Sequence, residues 1–309
     1  MKKEHISVLP KEVLDLFADR QLDTFVDGTL GAAGHAEILL EAHPEINSFI
    51  GIDQDPDALQ MARERLSGYG DKVLYLRNNF DKAIPELIAK GVKVDGILLD
   101  LGVSSMQLDR PERGFSFMRD GPLDMRMDRH SRPSASEIVN TWDEHDLGRI
   151  FRDYGEEKQW RAAARVIVQA REEKEIKTTR DLSAILEQVL KRKPGKKINP
   201  LTLVFQALRI AVNRELEVIE KTIPLCIQLL NTGGRLAVIT FHSLEDRIVK
   251  QLFKYNASDK ESTSGYCGVF LDKDPVVVEI TRKPIQATEQ EINENPRSSS
   301  AKLRCIEKL

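Results

Sequence analysis

The chain has 309 residues, 41% of them hydrophobic and 31% charged, with a formal net charge of −3. Such a balance fits a soluble globular protein of one large or two smaller domains, and it does not announce a nucleic-acid binder by charge alone. No run of 18 or more apolar residues occurs, so no membrane span is expected, and the opening MKKEHISVLP lacks the apolar stretch of a secretory signal.

In chain order, the first hundred residues alternate in a βα rhythm. Short apolar runs at 24–27, 49–53, 73–76 and 94–100 read as strands, and the segments 33–43, 57–66 and 82–90 between them read as helices. Strands separated by helices imply parallel pairing in a doubly wound sheet. The rhythm then stops. Residues 134–193 are helical only, with apolar spacing such as Leu182, Ile185, Leu186 and Val189, and Thr178-Thr179-Arg180-Asp181 is a helix-start signal. A basic turn follows at 191–197, KRKPGKK, and then one long helix over roughly 201–230. Gly233-Gly234 precedes a strand at 235–241, and 276–281 and 301–308 read as closing strands. The pattern predicts an α/β domain interrupted by a helical insertion.

The three cysteines, Cys226, Cys267 and Cys305, are scattered and form no C-x-x-C pair. This argues against a disulfide framework or a metal site and fits a reducing, cytoplasmic setting. Charge is uneven: residues 111–210 carry 20 Lys/Arg against 16 Asp/Glu, inside an otherwise acidic chain. A basic middle hints at an anionic partner, although a charged solvent face would look the same.

Two strand tips carry cofactor signals. Asp27-Gly28-Thr29-Leu30-Gly31-Ala32-Ala33-Gly34-His35 joins the first strand to its helix, where glycines let a ligand approach the backbone and the helix start offers free N–H groups. The second strand ends in Asp53, an acid placed to accept hydrogen bonds from ribose hydroxyls. The spacing is G-x-x-G-x-x-G, not the G-x-G-x-x-G of nicotinamide enzymes, so S-adenosylmethionine is favoured over NAD. After the fourth strand comes DLGVSSMQLDRPERGFSFMRDGPLDMRMD, residues 100–128, a polar stretch where a crossover helix is expected. Long irregular segments in compact domains are often functional.

Several strings resemble one family, the bacterial S-adenosylmethionine-dependent 16S rRNA cytosine-N4 methyltransferases of the MraW type. They are His5-x-Ser7-Val8-Leu9, the 27–35 loop, Asp100-Leu101-Gly102-Val103-Ser104-Ser105 with Gln107-Leu108-Asp109, Arg113-Gly114-Phe115-Ser116-Phe117 and Leu123-Asp124-Met125-Arg126-Met127-Asp128. Tyr154-Gly155-Glu156-Glu157, Phe205-Gln206-Ala207-Leu208-Arg209-Ile210 with Asn213, Phe241-His242-Ser243-Leu244-Glu245-Asp246-Arg247 and Asn295-Pro296-Arg297 continue the likeness to the C-terminus. The resemblance implies a Rossmann-like methyltransferase domain, 1–110 and 205–309, with an inserted substrate-recognition domain, 111–204. It implies cofactor contacts at Ala33, Gly34, His35, Asp53, Phe80, Asp100 and Gln107. The target it implies is the N4 amine of a cytidine in the decoding centre of the small ribosomal subunit, with neither DNA nor membrane as partner. The chain departs from the family at Met106, Leu201, Leu203 and Ser299; at the last two, basic character is lost.

The amine to be methylated is conjugated and weakly nucleophilic, so a hydrogen-bond acceptor on its N–H would help. Amino-methyltransferases often supply one just after the fourth strand, where this chain has Asp100. His242 and Asp246 follow another strand tip and join Asp100 as catalytic candidates, although acids in a helix's first turn also serve as caps. Arg126, Asn213 and Arg247 are candidates for substrate contact. Two rival readings are a non-catalytic assembly factor that keeps S-adenosylmethionine as a structural ligand and an NAD-dependent oxidoreductase.

Overall fold

The computed structural model describes residues 7–130, 133–191, 199–262 and 270–309. His5, Cys267 and nearly all of the basic turn at 191–197 lie outside the described residues. In chain order the elements are α1 (Pro10–Phe17), β1 (Thr24–Asp27), α2 (Gly34–Ala42), β2 (Ser48–Asp53), α3 (Pro56–Arg65), β3 (Val73–Arg77), α4 (Phe80–Ala89) and β4 (Val94–Asp100). Six helices follow: α5 (Ser105–Asp109), α6 (Ala135–Thr141), α7 (Glu144–Asp153), α8 (Trp160–Glu173), α9 (Thr179–Glu187) and α10 (Pro200–Asn213). The chain ends with α11 (Glu215–Leu229), β5 (Leu230–Thr240), α12 (Ser243–Ala257), β6 (Lys260–Ser262), β7 (Phe270–Asp272), β8 (Val277–Glu279), α13 (Glu289–Glu294) and β9 (Lys302–Lys308). Among the described residues no helix is long and apolar enough to cross a membrane.

Two compact units emerge, residues 1–102 with 216–309, and residues 103–215. The first is built on a seven-stranded sheet in the order β3-β2-β1-β4-β5-β9-β8. Its first five strands are parallel, and β9 and β8 run antiparallel to their neighbours. Strands covered on both faces read as continuous apolar runs, and successive side chains here enter opposite layers. Phe25, Phe49 and Leu98 pack into one layer with Phe17, while Val26, Ile50 and Leu99 pack into the other with Ile84 and Ile223. Gly96 fits this packing because a Cβ there would lie 2.4 Å from the Phe25 ring. The strand order reverses between β1 and β4, which makes their carboxyl ends the place where a ligand binds in an open α/β sheet.

The second unit is helical and has its own core, in which Leu147, Phe151, Ile167, Leu182 and Leu186 meet Phe205 and Leu208 of α10. Its helices start at capped positions, with reciprocal capping boxes at Ser134/Glu137 and Thr178/Asp181. Its boundaries fall at 102/103 and 215/216 rather than at the expected 110/111 and 204/205. The cause is packing: Val103 and Leu108 join this core, as do the buried residues of α10 from Leu201 to Val212.

The long helix expected over 201–230 is two helices. Arg214 between them adopts a left-handed conformation, φ 53°, and the Arg209 guanidinium makes a bidentate pair with Glu215 at 2.9 and 2.8 Å across the break. No glycine or proline marks that break, so apolar spacing alone runs straight through it.

Candidate active site

The parallel strands β2, β1 and β4 are adjacent, and each ends in an aspartate: Asp53, Asp27 and Asp100. Asp27 is buried, and its Oδ1 accepts the Thr29 N–H at 3.0 Å. Asp53 holds the glycine loop from the other side. Its Oδ2 accepts the Gly31 N–H and its Oδ1 the Asp55 N–H, both at 2.8 Å. The loop is therefore fastened by two carboxylates, and it bends through left-handed residues at Gly31, φ 54°, and Ala33, φ 61°. Ala33 has no glycine's freedom, so the surrounding structure must hold it in that conformation.

The loop's end starts α2. Gly34 is closely packed: a Cβ there would lie 2.3 Å from the Ser7 hydroxyl. His35, the next residue, is buried, and neither ring nitrogen has a hydrogen-bond partner. Its Nε2 lies 3.6 Å from Asp100 Oδ2. Asp100 Oδ1 is likewise buried and without a hydrogen bond. Buried polar atoms left unpaired cost about 1–3 kcal/mol each, so these three atoms mark a place where a ligand's donors and acceptors fit. Half-buried Phe80 adjoins the same loop, since a Cβ on Gly28 would come within 3.6 Å of its Cβ.

The electrostatics are acidic. Burial pushes the Asp27 carboxyl up to about 7, His35 opposing, with Asp100 and Asp53 adding to the rise. Burial also lifts Asp53 to about 6, against the N–H groups of Asp55 and Gly31 that favour its charge. Adjacent carboxylates raise one another's pKa and favour a cationic ligand between them. Ala33, Gly34, His35, Asp53, Phe80 and Asp100 thus all belong to the switch-point end of the first unit.

The loop after β5 also lies in this unit. Leu101 N–H donates to Ile239 O at 3.0 Å, and a Cβ on Gly102 would lie 3.4 Å from the Phe241 ring. His242 is the N-cap of α12: its Nδ1 takes the Glu245 N–H at 3.5 Å and its Nε2 lies 3.1 Å from Glu245 Oε1. Fully buried Glu245 returns the cap, accepting the Phe241 N–H at 2.8 Å and the His242 N–H at 3.3 Å. Asp246 is engaged by Arg304 at 2.7 Å and Lys302 at 3.1 Å. Burial alone would raise its carboxyl, but the two cations outweigh burial and hold it below the usual range. A carboxylate so held is a weak proton acceptor. Arg247, beside it, is exposed.

Gln107, Arg126 and Asn213 belong to the second unit. Gln107 is buried, and its Oε1 accepts the Ser104 N–H at 3.1 Å. Arg126 makes a bidentate pair with Asp124 at 2.7 and 2.8 Å. Asn213 is a clamp: its amide donates to Met125 O at 2.8 Å and to Arg209 O at 2.9 Å, and its oxygen accepts the Met127 N–H at 2.9 Å. Arg113, also buried, donates to Arg126 O and Met127 O. The 113–117 and 123–128 strings therefore knit into one another, around Gly114, whose φ is 71° and whose Cβ would lie 2.1 Å from Pro122 O.

Sequence reasoning passed over two residues here, Asp27 as an independent member of the acid trio and Thr29. The first had a signal, since three of the first four strands end in aspartate. The second had none, because its hydroxyl matters only through a contact 71 residues away.

Comparison with known proteins identifies the family. A Protochlamydia amoebophila protein, ribosomal RNA small subunit methyltransferase H, is 57% identical over 307 residues, covering 99% of this chain and 97% of its own. Proteins of the same name from Citrifermentans bemidjiense and Clostridioides difficile are 49% and 45% identical, the second covering 100% of both chains. The MraW methylase family matches residues 2–309, and the chain belongs to that family.

Proposed function

We propose that the protein transfers a methyl group from S-adenosylmethionine to the N4 amine of a cytidine in the decoding centre of 16S rRNA, within the small ribosomal subunit and in the cytoplasm. The observation that carries the choice of donor is the trio Asp27, Asp53 and Asp100, with unpaired His35 and Asp100 atoms beside it. A cluster of acids, whose carboxyls burial and mutual repulsion lift, would be stabilised by a cationic sulfonium and not by the pyrophosphate of NAD. Family membership and the relatives' names support the RNA substrate.

When bound, the donor supplies an electrophilic methyl group. The chain's own part is to position and to accept a proton. In this reading Asp53 takes the ribose hydroxyls, Phe80 covers the base of the nucleoside, and the backbone of Ala33, Gly34 and His35 cradles the amino-acid end, with Gln107 as a further contact. Asp100 Oδ1, free of any protein donor, accepts an N–H of the cytosine amine and so keeps lone-pair density on nitrogen. Alignment of the two reactants supplies most of the acceleration. His242 and Asp246 support Asp100 by fixing the start of α12 and its tie to β9; their own hydrogen-bonding and ion-pairing groups face α12, Lys302 and Arg304. The target base must leave its stack to be reached; residues 103–215 supply RNA contacts, Arg126 among their cations, and Arg247 of α12 supplies another.

The test is nucleoside analysis of 16S rRNA from cells lacking the gene. The reading expects loss of N4-methylation at one cytidine, restored by the wild-type chain and not by D100A. Full restoration by D100A would favour the assembly-factor reading.

A further inference from the structure

We propose that Thr29 is a positioning residue for Asp100, its hydroxyl serving as the last rung of the ladder between β1 and β4. The inference rests on the role given to Asp100 above. The pairing of these strands runs Phe25 with Gly96, Val26 with Ile97 and Asp27 with Leu98. One more backbone rung follows, Gly28 N–H to Leu98 O at 2.9 Å. Beyond it β1 must leave the sheet, because its chain turns into the glycine loop. The next β4 donor, the Asp100 N–H, therefore has no β1 carbonyl to meet. It donates instead to Thr29 Oγ1 at 2.6 Å.

The substitution of a side chain for a carbonyl solves a geometric conflict. The chain after β1 turns away from β4 into the glycine loop, yet the tip of β4 must stay fixed to aim its carboxylate. Thr29 is itself fixed from behind, since its own N–H is held by buried Asp27 at 3.0 Å. On the other side Leu101 N–H is held by Ile239 O at 3.0 Å. Asp100 is thus pinned between β1 and β5 by one side-chain bond and one backbone bond, while its Oδ1 is left without a partner. Losing the Thr29 hydroxyl frees the backbone from which that carboxylate projects, without touching the carboxylate.

The experiment is a double-mutant cycle on the full chain, read by the dissociation constant for S-adenosylmethionine and by the rate of methyl transfer to unmodified small subunits. T29V should weaken binding or slow transfer by about ten-fold, which corresponds to about 1.4 kcal/mol. T29S, which keeps the hydroxyl, should recover most of that loss. In a D100N background, T29V should add less than two-fold, because the group it positions is already changed. If T29V does not fold, T29A replaces it in the cycle. Full additivity of T29V with D100N, or a T29S variant as impaired as T29V, overturns the inference while leaving Asp100's role intact. D100N with unchanged binding and transfer overturns the reading of Asp100 itself.

Discussion

Replacing Asn213 with alanine separates a structural clamp from a substrate contact. The side chain makes three hydrogen bonds, two donated to Met125 O and Arg209 O and one accepted from Met127 N–H, all between 2.8 and 2.9 Å. One of the clamped residues, Met125, is fully buried with φ 60°, a left-handed conformation that costs a non-glycine residue about 1–2 kcal/mol. Hydrogen bonds contribute about 0.5–1.5 kcal/mol net, and orphaned buried partners cost more, so N213A should destabilise the chain by about 2–4 kcal/mol. For a chain of 309 residues that loss corresponds to a melting temperature lower by roughly 3–6 °C. N213D should do no better, since it keeps the acceptor for Met127 but sets a carboxylate against two carbonyls. Thermal and urea unfolding of the purified variants measure this. A variant that melts with the wild type yet loses affinity for small subunits would refute the clamp and return Asn213 to the substrate surface.

Other perturbations follow from the same geometry. Burial lifts the Asp27 carboxyl from its ordinary 3.8 to about 7, so it stays protonated in the fold over a range where the unfolded chain ionises. Its contribution is full below about pH 4 and is lost as pH rises through 7; D27N, which does not titrate, should gain in melting temperature over the wild type across that window, and a constant difference would contradict this. Asp246 is the opposite case: burial is outweighed by Arg304 and Lys302, its carboxyl is held low, and its contribution is present above about pH 4 and lost on acidification through the folded value. D246N leaves Arg304 buried without its charge partner and should cost about 3 kcal/mol at pH 7, with the gap closing in acid; a gap independent of pH would argue against the ion pair. G114A forces a Cβ to within 2.1 Å of Pro122 O at a positive φ and should destabilise the second unit by about 2–4 kcal/mol, seen as faster limited proteolysis within 114–128. Wild-type resistance in that assay would show that the segment yields more easily than its packing implies.

The parts of the fold that were legible in sequence are those set by local pattern. Apolar runs ending in Asp27, Asp53 and Asp100 marked the strands, and Thr178 with Asp181 marked the start of α9 because a capping box is a four-residue motif. What escaped depends on partners far along the chain. Arg214 breaks a helix through a backbone conformation that no glycine announces. Asn213 reads as a polar residue on a helix face, and only the fold brings Met125 and Met127 to it. His242 is a catalytic candidate by its place after a strand tip, and its capping of α12 with Glu245 is visible only in space. Thr29 gave no sign, since hydroxyls are common in glycine loops and its acceptor role appears only where β1 leaves β4. The sequence motifs carry the candidate cofactor residues, whereas only the tertiary fold shows what holds them in place.

The proposed reaction is delivery of methyl groups from a carboxylate-lined strand-tip site to a cytosine amine of small-subunit RNA. The most direct measurement incubates the purified chain with methyl-labelled S-adenosylmethionine and small subunits lacking the modification, then digests the RNA to nucleosides and identifies the labelled species. The account predicts one labelled nucleoside, N4-methylated cytidine from 16S rRNA, formed by the wild type and abolished by D100A. Label on a different base, on a cytosine carbon, or on ribosomal protein instead of RNA would contradict it.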